Sequence, residues 1–227
     1  METIAFIPAR IGSKGISKKN LTYLYGHPLL YWVLDTLYKA KNNNILDKIV
    51  VSGDSPEIEN YVNSLNFGIE YWDRDPKTAT DEATTESAML DYVNYNGPWD
   101  GGEHLFLVQC TNPWLKMQDY INVRTLALEG HDVVSVTQKH LYEWQYNYNI
   151  NHYKRRLPRQ QKSGKLIENG AIYVTMISDF IRSGFRVSKN IKPYLMPSHT
   201  ALEIDTLLDL SLAESICEYY NNQPNLI

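Results

Sequence analysis

Cysteine is scarce: Cys110 and Cys217 are the only two among 227 residues. That excludes a disulfide framework and a thiolate metal cluster, both of which need several closely spaced cysteines. Long hydrophobic runs are also missing, and no apolar stretch approaches the ~18–20 residues of a membrane span. The N-terminal METIAFIPAR has a six-residue apolar stretch with no basic region before it, so no secretory signal is expected. The six histidines show no metal-ligand spacing, and no Ser/His/Asp order for covalent catalysis is visible. Neither familiar glycine signature occurs, G-x-G-x-x-G or the Walker G-x-x-x-x-G-K-[ST]. An excess of positive charge is lacking too: 22 Lys+Arg stand against 26 Asp+Glu, a net of -4. This balance argues against a dedicated nucleic-acid or membrane-surface binder. With 43% hydrophobic and 21% charged residues, the composition is that of a globular chain, expected to be cytoplasmic.

What is present is an alternation of short apolar runs with segments of helical period, the pattern of an α/β fold with a mostly parallel sheet. Thr3 to Pro8 is continuously apolar and predicts a strand buried on both faces. Strands are also expected at Lys48–Ser52, Leu105–Cys110, Asp132–Thr137, Ala171–Thr175 and Leu202–Asp205. The periodic segments predict helices over Pro28–Lys41, Pro56–Leu65, Thr84–Tyr92, Asp119–Glu129 and Leu207–Tyr220. Residues 138–165, rich in Tyr, Asn and Arg, break the rhythm and read as an excursion with small hairpins from a single domain spanning 1–227.

The loop after the first strand, Pro8 to Asn20, carries Arg10, Lys14, Lys18 and Lys19 and no acid. Gly12 and Gly15 are expected to supply positive φ and a close backbone approach, and successive N–H groups in such a loop can cradle an anion. Arg10 offers a forked donor and Lys19 a point charge. Open α/β sheets bind ligands at this position. A solvated basic turn is the competing reading of the same composition.

IPARIGSKGISKKN resembles the signature of cytidylyltransferases that activate 3-deoxy-2-keto sugar acids, above all the CMP-sialic acid (N-acylneuraminate) synthetases. Further matches follow in the same order: Val50–Ser55, Arg74 to Asp81 with Asp75 as an extra residue, and Leu107–Pro113. Glu168–Tyr173 and Glu203–Thr206 with Asp209 complete the set. The resemblance implies a three-layer Rossmann-like nucleotidyltransferase fold, CTP and a sugar acid as substrates, Mg²⁺ as cofactor, and a homodimer. It implies nucleotide binding by Ala9, Arg10, Gly12, Ser13, Lys19, Asn20 and Arg74, with Arg10, Lys19 and Asp205 catalytic. It places the acyl sugar against Thr85, Gln109, Tyr173 and Arg159, and the metal on Asp205 with Glu203.

Each residue also has a plainer reading. Glu203 and Asp205, two apart on an expected strand, would share one face, to hold Mg²⁺ or to cap the following helix. Gln109 could bond neighbouring backbone, Thr85 could start a helix, and any one of 17 tyrosines could simply pack. Arg74 could form a surface salt bridge with Asp73 or Asp75, and the cysteines could be packing residues. Three positions depart from the resembled pattern: Ile11 for a small residue, Asn112 for the serine of Thr-Ser-Pro, and Glu203 for aspartate. They leave open another acceptor (a 3-deoxy-octulosonate, a legionaminate-like acid or a phosphonate) or a non-catalytic nucleotide-binding relative.

In the excursion, Lys154, Arg155, Arg156, Arg159, Lys162 and Lys165 form an acid-free run beside Tyr142, Trp144, Tyr146, Tyr148 and Tyr153. Taken alone this is a solvated face or a base-stacking patch. The resemblance instead implies a dimerisation insertion reaching Arg159, and more loosely Lys139, toward the partner's site. The loop and this run together hold ten of the 22 basic residues and none of the 26 acidic ones, so positive charge is concentrated where anions are expected.

Overall fold

A computed structural model of the chain describes residues 2–141, 144–145, 148–149, 158–220 and 224. Strand β1 (Thr3–Ala9) leads through a loop and a short 3-10 turn (Lys19–Leu21) to a two-residue hairpin, β2 (Tyr23–Leu24) and β3 (His27–Pro28). Helix α1 (Leu29–Asn42), β4 (Lys48–Gly53), α2 (Pro56–Ser64) and β5 (Glu70–Asp73) follow. A 3-10 turn (Pro76–Thr78) precedes α3 (Thr85–Asn96), β6 (His104–Val108), α4 (Met117–Leu128) and β7 (Val133–Lys139). The small pair β8 (Trp144–Gln145) and β9 (Tyr148–Asn149) precedes β10 (Lys165–Met176), α5 (Ile177–Ser183) and β11 (Lys192–Leu195). A 3-10 turn (Ser198–Ala201) and α6 (Leu207–Tyr220) close the order.

Seven strands make one sheet in the order β11-β7-β10-β6-β1-β4-β5. Only β10 runs antiparallel to its neighbours, so this is the mostly parallel α/β sheet that the apolar runs predict. Alternation along β1 sorts its side chains between two helical layers. Ala5, Ile7 and Ala9 join the core with Leu30, Val33, Leu34 and Leu37 of α1, Ile58 and Val62 of α2, and Tyr120 and Val123 of α4. Ile4 and Phe6 turn the other way, onto Ala88, Met89, Tyr92 and Val93 of α3 and Ile177 and Phe180 of α5. The helices begin where local chemistry allows. Ser55 caps α2 by accepting the Glu57 N–H at 3.1 Å, with Pro56 in the first turn and Glu57 and Glu59 on the positive end of its dipole. The chain runs outward from β1 through β4 to β5 and then returns to the other side of β1 at β6. That reversal opens a crevice at the carboxyl ends of β1 and β6.

Several details differ from expectation. β5, α5 and β11 are short and largely half-buried or exposed, so they carry too little apolar periodicity to be read from sequence. β10 starts at Lys165 rather than Ala171 because it pairs with the end of β7, Lys165 opposite Lys139. The excursion thus leaves and re-enters the sheet as an antiparallel ribbon. The expectations for Tyr142, Tyr146, Tyr153, Lys154, Arg155 and Arg156, and for the side chains of Trp144, Tyr148 and Arg159, lie outside the described residues. Leu202–Asp205 is not a strand. Loop-to-loop bonds hold it instead: the Ile204 N–H donates to the Thr111 carbonyl at 2.8 Å and the Trp114 indole N–H to the Leu202 carbonyl at 2.9 Å. Among the described residues no helix is long and apolar enough to cross a membrane.

Phe106 lies at the middle of β6 and is fully buried between β1 and β10. Phe106→Ala is expected to cost about 3–5 kcal/mol, read as a lower urea midpoint at unchanged slope.

Candidate functional site

The crevice at the ends of β1 and β6 is a cleft of about 530 Å³ whose walls come from five parts of the chain. Arg10, Ser13, Lys14, Gly15, Lys19 and Asn20 supply the loop after β1, and Arg74 follows β5. Thr80, Thr84 and Thr85 come from the entry to α3, Gln109, Cys110 and Thr111 from the end of β6, and Asp205 and Thr206 from the segment before α6.

The loop is held from both sides. Asn20 donates its side-chain amide to the Arg10 carbonyl at 2.8 Å, and Asp54 takes the Ile11 N–H at 2.7 Å. Neither Gly12 nor Gly15 adopts positive φ, so the expected conformational reason for them does not hold. Gly15 is needed for proximity instead: a Cβ there would overlap the carbonyl oxygen of Asp205, whereas one at Gly12 meets nothing within 4 Å. The left-handed residue in this stretch is Lys18, at φ 51°.

The cations of the cleft differ in their partners. Arg10 donates to Asp81 at 2.8 Å and to the Ala79 carbonyl at 3.3 Å, while Lys14 approaches the same carboxylate at 3.6 Å. The hydrogen bond from Arg10, reinforced by the charge of Lys14, holds the exposed Asp81 carboxyl below the usual range. Lys19, with 18% of its side chain exposed, reaches Asp205 at 2.6 Å. Arg74 is different. It is only 5% exposed, its guanidinium donates to the Ser52 carbonyl, and its Nε has no partner among the described residues. The surface salt bridge with Asp73 or Asp75 is not what forms, since no carboxylate lies in salt-bridge range of Arg74 among the described residues. Burial lowers its proton affinity, Asp54 works against that, and Arg10 adds to it. Asp75, the extra residue of that segment, caps the 3-10 turn by accepting the Lys77 N–H at 2.8 Å.

The opposite wall is neutral and rich in hydroxyls. Thr84, not Thr85, caps α3 by accepting the Ser87 N–H at 3.1 Å, which leaves Thr85 on the cleft wall. Gln109 lines the cleft as well, its backbone bonded to Ala171. Cys110 is buried and its thiol is pushed up to about 12 by desolvation, so it stays protonated; Cys217 is held near 11 for the same first reason.

Not every expected site residue reaches the cleft. Ala9 is buried inside the sheet and Gly12 stands outside the lining. Tyr173 is also absent from the lining: its hydroxyl donates to Glu168 at 3.0 Å and the Arg186 guanidinium lies 5.0 Å over its ring. Lys139 lines a different, apolar groove with His199 and Tyr219. Glu203 and Asp205 do not share a strand face. Asp205 stands at the cleft with 61% of its side chain exposed, while Glu203 packs against Gly170, where a Cβ would clash with its carboxylate. Burial first, then the charge of Asp205, raises the Glu203 pKa, against the pull of Lys19. The two carboxylates therefore do sense one another across the irregular segment. Among the described residues no three His, Cys, Asp or Glu side chains converge as a metal cage. Sequence reasoning gave no role to Lys14, Thr80, Thr84 or Thr111; the acid-free loop flagged Lys14, but nothing in the pattern marks the threonines.

A cation-lined cleft at the switch point of a mostly parallel sheet defines an open α/β protein with a site suited to an anionic ligand. The chain belongs to the cytidylyltransferase family, whose family model matches residues 4–223. N-acylneuraminate cytidylyltransferase B of Danio rerio is 30% identical over 223 residues, covering 92% of this chain and 50% of that protein. The N-acylneuraminate cytidylyltransferase of Streptococcus agalactiae serotype III is 28% identical over 219 residues, covering 91% and 51%. The chain thus spans about half the length of the curated relatives it matches. A solved CMP:2-keto-3-deoxy-manno-octonic acid synthetase complexed with CTP shares the fold, with a TM-score of 0.65 at 17% identity, covering 97% of this chain and 100% of that one.

The glycines separate by proximity. Gly15→Ala is expected to weaken triphosphate binding by about tenfold or more, and Gly12→Ala by less than about twofold, in calorimetric titration with CTP.

Proposed function

We propose that the chain transfers a cytidylyl group from CTP to a 3-deoxy-2-keto sugar acid of the sialic-acid type, giving the CMP-sugar and pyrophosphate. The observation that carries this reading is the cleft itself: Arg10, Lys14, Lys19 and the carboxylate-free Arg74 on one wall, facing Thr85, Gln109 and Thr111 on the other. A buried guanidinium without a carboxylate is stabilised by an anionic ligand, and three further cations around it suit a triphosphate. The relatives' names supply the base and the acceptor class.

In this reading Arg10 and Lys19 bind the phosphates, Arg74 adds charge from below, and Asn20 keeps the loop shaped by holding the Arg10 carbonyl. Ser13 stands beside the phosphate groups, while Thr85 and Gln109 orient the acceptor. The anomeric hydroxyl attacks the α-phosphorus; the new O–P bond forms as the bond to pyrophosphate breaks, and the hydroxyl proton passes to solvent. Positioning and charge stabilisation dominate such transfers, here by analogy with phosphoryl transfer. The donor set fits Mg²⁺, which takes one or two carboxylates and completes its shell with water and substrate phosphates: Asp205 would hold it, with Glu203 close behind. When bound, the ion polarises the phosphate and lowers the pKa of the attacking hydroxyl. A homodimer built through residues 138–165, bringing Arg159 to the partner's site, belongs to the same proposal.

The test is pyrophosphate release from each of the four nucleoside triphosphates against N-acetylneuraminate, a 3-deoxy-octulosonate and a legionaminate-type acid, with mass detection of product. CTP with a sialic acid is expected to turn over, and EDTA to abolish it. Asp205→Ala is expected to lose at least about a hundredfold in kcat while retaining part of its CTP affinity. Turnover near wild type in that variant removes Asp205 from the mechanism, and CTP binding without product from any acceptor makes the chain a nucleotide-binding relative.

A further inference from the structure

Asn112 is the departure from the Thr-Ser-Pro pattern that the cleft lining leaves unexplained. It is fully buried, one residue beyond Thr111, which does line the cleft. Its side-chain amide uses both hydrogens on distant backbone: one goes to the Asn169 carbonyl at 2.7 Å, the other to the Thr200 carbonyl at 2.8 Å. The partners extend the contact. Asn169 donates to the Thr200 hydroxyl at 2.8 Å and accepts the Ala171 N–H at 3.4 Å, and the Thr200 hydroxyl donates to the Pro197 carbonyl at 2.8 Å. Asn112, Asn169 and Thr200 are each at most 1% exposed, so water does not substitute for these bonds.

The three segments joined here carry opposite sides of the cleft. Gln109 stands three residues before Asn112, on the hydroxyl-rich wall. Asp205 stands five residues after Thr200, at the cationic end. Gly170, next to Asn169, is where Glu203 packs. The 202–206 segment is irregular, so no strand ladder fixes its distance from Gln109. That distance rests on the Asn112 amide together with the Ile204-to-Thr111 and Trp114-to-Leu202 bonds.

We propose that Asn112 is a positioning residue for the transfer reaction, setting the separation between Gln109 and Asp205; this rests on the function proposed above. The chemistry distinguishes asparagine from the serine of the resembled signature. An amide has two N–H donors and a hydroxyl has one. Serine at position 112 therefore leaves one of the two buried carbonyls without its donor, and alanine leaves both.

The experiment compares wild type, Asn112→Ser and Asn112→Ala. It measures pyrophosphate release with CTP and N-acetylneuraminate, CTP affinity without acceptor, and amide hydrogen exchange across residues 200–206. A graded loss is expected: kcat falls by about tenfold in Asn112→Ser and further in Asn112→Ala, while CTP affinity stays within about twofold. Exchange at 200–206 should quicken in the same order, with β1 and α1 unchanged. Variants that unfold at lower temperature yet keep wild-type kcat and KM when folded overturn the proposal, as does unchanged exchange at 200–206. Wild type that binds CTP but makes no product overturns the functional reading instead, and the exchange data then report on the clamp separately.

Discussion

Burying a guanidinium without a carboxylate partner is the constraint from which the rest of the cleft follows. Arg74 donates to the Ser52 carbonyl from below, and its backbone N–H is fixed to the Gly53 carbonyl at 2.9 Å. Backbone oxygens carry only partial charge, so they hold the side chain in place without neutralising it. The charges of Asp54 and Asp91 attract it without a contact, and the nearby Arg10 adds repulsion. Such an arrangement is tolerable only where an anion can approach, and the cleft gives it that access. The carboxylates paired with the other cations sit on the rim: Asp81 on Arg10 and Asp205 on Lys19.

The second requirement is that segments nearly 200 positions apart meet within a few ångströms. The topology does the coarse part. With β6 and β4 on either side of β1, the loops after β1 and β6 open on the same side of the sheet. The fine part depends on contacts between loops. Gly15 lies so close to the Asp205 carbonyl that a single methyl group would not fit, and Ile204 hangs from Thr111 by one backbone bond. Ile204 itself is fully buried with Trp32, Trp114 and Cys217, which fixes the irregular segment to the hydrophobic cluster under α6. Apolar burial sets where this segment lies, and a few polar bonds set its register.

Much of this was legible in the sequence, and the failures are informative. The continuous apolar run at Thr3–Pro8 predicted a central strand because burial on both faces removes the polar alternation. The acid-free basic loop after it pointed to the cleft because charge clustering survives without any knowledge of tertiary structure. Asp205 was placed at the site by the resemblance, but the strand alternation with Glu203 that was read beside it does not form: Asp205 stands there through loop contacts. The glycines were flagged for positive φ and close approach to a ligand; neither has positive φ, and Gly15 matters for its closeness to the Asp205 backbone. Both errors have one source. Local rules describe what a backbone can do by itself, whereas these positions are set by partners remote in sequence. Arg74 and Asn112 belong to the same class, since burial without a carboxylate and a two-carbonyl clamp leave no periodic trace. Tyr173 illustrates the reverse case: the pattern that singled it out runs through β10, but its hydroxyl is taken by Glu168 and its ring by Arg186.

The overall acidity of the chain then takes on a physical sense. With ten of its basic residues gathered in the loop and the 154–165 run, the rest of the chain is strongly negative. A polyanion is repelled from most of it and attracted to the cleft, where low-dielectric walls concentrate positive potential. The rim carboxylates sharpen this arrangement. Exposed pairs such as Arg10 with Asp81 add little to stability, so a ligand bearing several phosphate charges can displace Asp81 from Arg10 at small cost. Without a ligand, the same carboxylate holds Arg10 against the loop wall and reduces its repulsion toward Arg74. Asp205 holds Lys19 in the same way from the opposite end. The cations of the cleft are thus kept near their working positions by partners weak enough to yield, around one arginine whose burial leaves its charge available.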